Sequence, residues 1–242
     1  MRFKEGMAGL AGPILRHIPL QQWPRAVSRL TGVLTPRAVA PHQSPSSAGG
    51  ANINILLDAL ERTRSFAGDV AECGVWRGRT LTAMGLYLKQ HRSASTIWGF
   101  DSFQGFDESI ETDVKLGGRT TNEKHVGGFS NTSYDLVRRK LNAFGLTNVR
   151  VEPGWFQDTL PKCQDKKFRF VHLDCDIYES YRTCLAFFYP RMTPRGIILF
   201  DEYNDPAWPG ANQAVDEFFA EKPEKPESVT RENFQKWFVV KK

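Results

Sequence analysis

The carboxylates best placed to do chemistry fall at the ends of apolar runs. Phe168–Leu173 leads into Asp174-Cys175-Asp176, and Gly196–Phe200 leads into Asp201-Glu202. Runs of this length and make-up read as buried strands. In a parallel sheet their ends share one edge, with neighbouring strands about 4.8 Å apart. Asp174, Asp201 and Glu202 can then meet within one coordination sphere. Crowded carboxylates repel and raise one another's pKa. A hard divalent cation such as Mg²⁺ removes that cost and suits oxygen ligands with room for water. The alternative is that these groups cap helices or pair with lysines. Asp176 lies off the strand, where it can face a substrate and take a proton from a hydroxyl. It can equally cap the helix that begins near Tyr178.

A second constellation lies about a hundred residues earlier. Gly68–Thr80 (GDVAECGVWRGRT) has the form strand, E-x-G-x-x-x-G, helix, with Glu72 near the end of the strand. Gly74 lets the chain turn sharply, and Gly78 lets a ligand or the next helix come close. The helix that follows aims free N–H groups at the turn. The spacing departs from the G-x-G-x-x-G fingerprint of dinucleotide sites. Trp76 and Arg77 would crowd a pyrophosphate, so a nucleoside cofactor without one fits better, and S-adenosylmethionine is such a cofactor. Asp101 ends the next apolar run, Trp98-Gly99-Phe100, where a carboxylate can accept hydrogen bonds from ribose hydroxyls or cap the segment that follows. With such a cofactor bound, a metal would lower the acceptor hydroxyl's pKa and hold it in line with the sulfonium.

Positioning these groups takes alternating strands and helices. Ile53, Leu56, Leu57 and Leu60 recur at helical spacing and predict a helix over 52–64. Strands are expected at 69–73, 96–100, 148–151, 168–173, 196–200 and 234–240. Helices are expected at 80–88, 133–144, 178–189 and 211–220. Residues 103–131 are rich in Gly, Asn, Thr and Asp and read as a long loop or lid. This alternation means an α/β fold, a doubly wound and mostly parallel sheet covered on both faces. Residues 51–242 form that domain. Residues 1–50 are an N-terminal extension ending in a Pro/Ser/Gly-rich linker (PHQSPSSAGG).

Bulk properties narrow the class. The chain has 242 residues, a net charge of +5 and 40% hydrophobic residues. That suits one α/β domain. No apolar stretch is long enough to span a bilayer, and the first twenty residues are a poor secretory signal. Arg138, Arg139 and Lys140 form a short basic cluster, read as a solvated helix face rather than a nucleic-acid patch. Cys73, Cys163, Cys175 and Cys184 make no C-x-x-C pair and read as buried reduced thiols of a cytoplasmic protein. His172 is expected to be buried and hydrogen-bonded, and His125 a solvated loop residue.

Six segments in order then resemble the macrocin O-methyltransferase family, whose members methylate sugar hydroxyls on antibiotics. They are Gly68–Thr80, Trp98–Phe106 (WGFDSFQGF), Gly154–Pro161 (GWFQDTLP), Val171–Ser180 (VHLDCDIYES), Leu199–Tyr203 (LFDEY) and Gly210–Phe219 (GANQAVDEFF). The resemblance implies a seven-stranded class I methyltransferase fold. It implies S-adenosylmethionine near Gly74, Val75, Trp76 and Thr80, with Asp101 on the ribose and Ser102, Trp155 and Phe156 around the adenosine. Glu72 and Asp174, at their strand ends, belong to the same cofactor set. It assigns Mg²⁺ to Asp174, Asp201 and Glu202 and the catalytic base to Asp176. It also implies a homo-oligomer and a small-molecule hydroxyl acceptor, while the scattered charge and short apolar runs point to neither nucleic acid nor membrane as partner. The family often has two aspartates where this chain has Asp201-Glu202. The lid, 107–132, is expected to set the acceptor.

Other readings compete. A D-x-D after an apolar strand also serves metal-dependent glycosyltransferases, but that leaves the glycine turn unexplained. A non-catalytic relative that binds S-adenosylmethionine would not need the carboxylate set. Phosphatase-like hydrolases carry D-x-D in their first strand, whereas here it comes late.

Overall fold

The computed structural model describes residues 50–231 and 234–242. The reading of residues 1–50 as extension and linker therefore lies almost entirely outside the described residues.

The elements run α1 (Gly50–Arg62), β1 (Asp69–Cys73), α2 (Arg79–Gln90), β2 (Ile97–Asp101), α3 (Ile110–Leu116), α4 (Tyr134–Ala143), β3 (Val149–Pro153), α5 (Phe156–Thr159), β4 (Phe168–Leu173), α6 (Tyr178–Phe188), β5 (Met192–Phe200), α7 (Pro209–Phe219), β6 (Glu227–Arg231) and β7 (Phe234–Val240). The sheet has seven strands in the order β3-β2-β1-β4-β5-β7-β6. β1 to β5 are parallel. β7 runs antiparallel to β5 and pairs antiparallel with β6. This is the expected doubly wound, mostly parallel seven-stranded sheet.

Two apolar layers cover the sheet. On one face Ile53, Leu56 and Leu60 of α1 pack with Leu81 and Met84 of α2 and Val137 and Leu141 of α4. On the other, Tyr181, Leu185 and Phe188 of α6 pack with Ala211, Val215 and Phe219 of α7. β4, at the centre, is buried along its whole length, as a strand covered on both faces must be. The chain leaves β1 toward β2 and β3, then returns to β4 on β1's other side. The crevice at that reversal, beyond the C-terminal ends of β1 and β4, is where such sheets bind ligands.

Two expectations are corrected, and one strand is added. The loop at 103–131 contains a short helix, α3, which buries Ile110 and Asp113. Strand β5 begins at Met192 rather than Gly196, and the register with β4 shifts on the way to Ile197. Strand β6 gave no signal, because nearly every residue of Glu227–Arg231 is exposed on the sheet edge.

Candidate active site

The C-terminal ends of β1, β2, β4 and β5 open into a cavity of about 470 Å³, within the usual range for small-molecule sites. The turn after β1 shapes one side. Gly74 has φ 86°, and a Cβ there would lie 1.6 Å from the carbonyl oxygen of Asp174. Glycine is required because β4's exit passes against it, which brings the two constellations together. Gly78 sits at φ 70°, where a Cβ would press on Val137 of α4 at 2.9 Å. Its smallness serves the next helix.

Asp101 organises this side. One carboxylate oxygen accepts from the backbone N–H of Val75 at 2.8 Å and of Trp76 at 2.6 Å. The other accepts from the N–H of Phe103 at 2.6 Å. Burial pushes its pKa up, and the three N–H donors oppose that rise. Asp101 thus fixes the glycine turn as well as facing the cavity. Gly74, Val75, Trp76, Thr80, Ser102, Trp155 and Phe156 all line the cavity. Glu72 does not line it. Fully buried, it hydrogen-bonds Nδ1 of His172 at 3.0 Å.

On the other side Asp174, Asp201 and Glu202 bring carboxylate oxygens within 4.8 Å of one another. His172 and Lys236 are the neighbouring cations. Lys236 Nζ lies 2.6 Å from Asp201 Oδ1, and His172 Nε2 lies 3.8 Å from the same oxygen. Burial disfavours the charged form of His172, but Asp201 and Glu72 outweigh it and raise its pKa to about 10. Burial also opposes the charge on Asp201, yet Lys236 and His172 hold its pKa low. The remaining carboxyls are compensated less: His172 and a hydrogen bond with Glu202 pull Asp174 down only in part. Burial and then the charge of Asp201 push Asp174 up to about 7. Burial and neighbouring carboxylates push Glu202 and Asp176 well above the ordinary range. Glu202 Oε2 accepts from Tyr181 Oη at 2.7 Å and from the Asp176 N–H at 3.3 Å. Asp176 has φ 61°, a left-handed conformation that costs a non-glycine residue about 1 kcal/mol or more. It too lines the cavity. The structure therefore gathers the carboxyls of Asp174, Asp176, Asp201 and Glu202, and its two cations do not suffice to keep all four ionised. Hard oxygen donors with unbalanced charge fit a divalent cation.

Several wall residues escaped the sequence reading. Arg79 lines the cavity, and its Nε has no partner. The lid contributes Phe106, Asp107, Ser109 and Phe129, and α6 contributes Glu179 and Thr183. Phe106 and Phe129 meet edge-to-face and both contact Trp208. Trp76 ties the lid's far end to the glycine turn, donating from Nε1 to Asn131 Oδ1 at 2.8 Å. Lys140, read as part of a solvated face, is instead buried and hydrogen-bonds the Arg77 carbonyl. Burial, then Arg77 and Arg79, lower its pKa to about 8. His125 is exposed, as expected. The four cysteines are buried and free. Among the described residues no helix is long and apolar enough to cross a membrane.

Comparison with known proteins places this geometry. An O-methyltransferase from Streptomyces olivaceus, named for the 4'-hydroxyl of 8-demethyl-8-(2,3-dimethoxy-alpha-L-rhamnosyl)-tetracenomycin C, is 34% identical over 139 residues, 56% of this chain and 53% of that protein. Mycinamicin III 3''-O-methyltransferase from Micromonospora griseorubida is 33% identical over 155 residues, 62% of this chain and 60% of that protein. The aligned chain thus spans somewhat over half the length of these relatives. The solved structure of the O-methyltransferase NovP superposes with a TM-score of 0.66 at 28% identity, covering 80% of each chain. Residues 28–231 match the family described as macrocin-O-methyltransferase (TylF), and the chain belongs to that family.

Proposed function

We propose that this protein transfers a methyl group from S-adenosylmethionine to a hydroxyl of a sugar or glycosylated small molecule, with Mg²⁺ or a similar divalent cation at the carboxylate cluster. The observation that carries this reading is the single cavity: a nucleoside-sized cradle on β1 and β2 opens directly onto the carboxylates of β4 and β5.

Asp101, Ser102, Trp155 and Phe156 suit an adenosine, and the unpartnered Arg79 suits the carboxylate of an amino-acid tail. S-adenosylmethionine, when bound, supplies an electrophilic methyl group on a sulfonium. Asp174, Asp201 and Glu202 would hold the cation, which supplies a Lewis acid for the acceptor hydroxyl. Asp176 is placed to take that hydroxyl's proton. Phe106 and Phe129 give the acceptor an apolar wall, and Asp107, Ser109 and Glu179 give it hydrogen-bonding groups. That mixture suits a sugar ring, which has apolar faces and a polar rim. The relatives' names, a rhamnosyl tetracenomycin and mycinamicin III, agree with such an acceptor. The reading extends to a homo-oligomer acting in the cytoplasm, which sedimentation and fractionation test.

The direct test is calorimetry with S-adenosylmethionine and S-adenosylhomocysteine, with and without Mg²⁺, followed by a radiolabelled methyl-transfer assay. p-Nitrophenyl α-L-rhamnopyranoside and larger deoxysugar glycosides serve as acceptors. Cofactor binding in the micromolar range and transfer abolished by chelator are expected. Full turnover in excess chelator would remove the metal from the mechanism.

A further inference from the structure

The lid carries one buried carboxylate that the proposed chemistry does not use. Asp113 lies in α3, where it and Ile110 are the buried residues, and its exposure is 0%. Its Oδ2 accepts the backbone N–H of Tyr178 at 3.0 Å. Tyr178 opens α6, whose N-cap residue, Ile177, has no side chain able to accept a hydrogen bond. The lid thus supplies, from 65 residues away, the acceptor that a local Ser or Asp normally provides.

The other oxygen points elsewhere. Asp113 Oδ1 has no hydrogen-bond partner and rests over Gly210, where a Cβ would lie only 1.8 Å from it. Gly210 is the second residue of α7, a helix that also has no side-chain cap. Asp113 is therefore wedged between the N-terminal turns of two helices, whose positive ends favour a carboxylate. Flanking contacts hold the same junction. The Arg119 N–H donates to the Pro206 carbonyl at 2.8 Å. Lys124 Nζ donates to the Ala207 carbonyl at 2.8 Å and lies over the Trp208 ring.

What these turns carry gives the contact its meaning. Tyr178 is two residues beyond Asp176, whose left-handed backbone needs support from outside. The lead into α7 follows Asp201 and Glu202 and ends at Trp208, which backs Phe106 and Phe129. We propose that Asp113 is a positioning residue that fastens the lid across the starts of α6 and α7, so that the aromatic wall of the lid and the side chain of Asp176 are set together. Gly210 is the matching half of the device, small because the carboxylate occupies its space. The kinetic part of this proposal rests on the methyl-transfer reading; the structural part does not.

The test is hydrogen exchange on the full chain saturated with S-adenosylhomocysteine, comparing Asp113→Ala, Asp113→Asn, Gly210→Ala and the double variant Asp113→Ala/Gly210→Ala. Loss of a buried hydrogen bond to a charged group predicts exchange about tenfold faster or more in Asp113→Ala, both across the lid and at residues 176–182. Gly210→Ala, which evicts the carboxylate without removing it, should reproduce this. The double variant should be no worse than Asp113→Ala, because the new methyl then has room. Asp113→Asn keeps an acceptor for Tyr178 and should exchange no faster than the parent protein. S-adenosylhomocysteine affinity should stay within about twofold throughout, since Asp113 does not line the cavity. With p-nitrophenyl α-L-rhamnopyranoside, kcat should fall in Asp113→Ala and Gly210→Ala and recover in Asp113→Asn, while KM for S-adenosylmethionine holds. Exchange rising uniformly through the protein, or in the lid but not at 176–182, overturns the proposal, as does a harmless Gly210→Ala. Should the parent protein leave the rhamnoside unmethylated, that counts against the acceptor reading, and the exchange data alone decide the role of Asp113.

Discussion

At the ends of β1 and β2, Asp101 gives its oxygens to three backbone N–H groups and locks a glycine turn. At the ends of β4 and β5, Asp174, Asp176 and Glu202 sit in the same cavity with raised pKa values and too few cations. One half of the site is complete as folded; the other holds carboxyls that ionise fully only when something else balances their charge. A carboxylate that satisfies backbone donors stabilises the native chain, whereas buried carboxylates facing one another weaken it. Such frustration is retained where chemistry needs it.

The largest expected effect falls in the strained half. Asp176→Asn keeps the shape and removes the base, so turnover should drop about 10²- to 10⁴-fold while S-adenosylhomocysteine affinity by calorimetry is unchanged. If that variant remains active, another group takes the proton and the division of labour fails. Next comes the satisfied half. Asp101→Ala leaves three N–H groups without an acceptor, and a loss of about 2–4 kcal/mol is expected. In a thermal melt that is a drop of roughly 5–15 °C for a domain of this size, together with weaker cofactor binding.

The converse substitution sharpens the contrast. Asp174→Asn removes one buried, repelled carboxylate, so the metal-free protein should gain about 1 kcal/mol, a rise of a few °C. The same variant should lose the thermal shift that Mg²⁺ gives the parent protein. A variant that is less stable than the parent without metal would show that Asp174 is already satisfied and that the two halves do not differ as described.

How much of this was legible follows from where each residue's partners lie. Strands β1, β2, β4 and β5 announced themselves because burial on both faces leaves mostly apolar runs, and those of β2, β4 and β5 stopped at an acidic residue. The resulting edge brought together every site residue named from the sequence except Glu72, which turned inward to His172. What stayed hidden depended on distant partners. Lys236 neutralises Asp201 from an antiparallel strand; a lysine inside the apolar run Phe234–Val240 was the available signal. Lys140 follows Val137 by three positions and precedes Leu141 on the same helical stripe, so its burial was readable from spacing that the basic cluster obscured. Helix α3 is too short, and strand β6 carries too few apolar residues, for any periodicity to show.

Asp113 offers the finest test, because it belongs to both halves: it satisfies one N–H and leaves one oxygen unpaired. Burial raises its pKa to about 6, with the Tyr178 N–H and Lys124 pulling down and Glu179 pushing up. A folded pKa above the unfolded value means that the stabilising form is the protonated one. That contribution is complete below about pH 4 and is lost as pH rises through about 6. Asp113→Asn, neutral at every pH and able to accept from Tyr178, should therefore gain stability relative to the parent between pH 4 and 7. A gain of about 1–3 kcal/mol is expected, read as diverging melting temperatures. Parallel melting curves across that range would mean that the carboxylate is solvated or paired in solution, and that its place between α6 and α7 costs nothing.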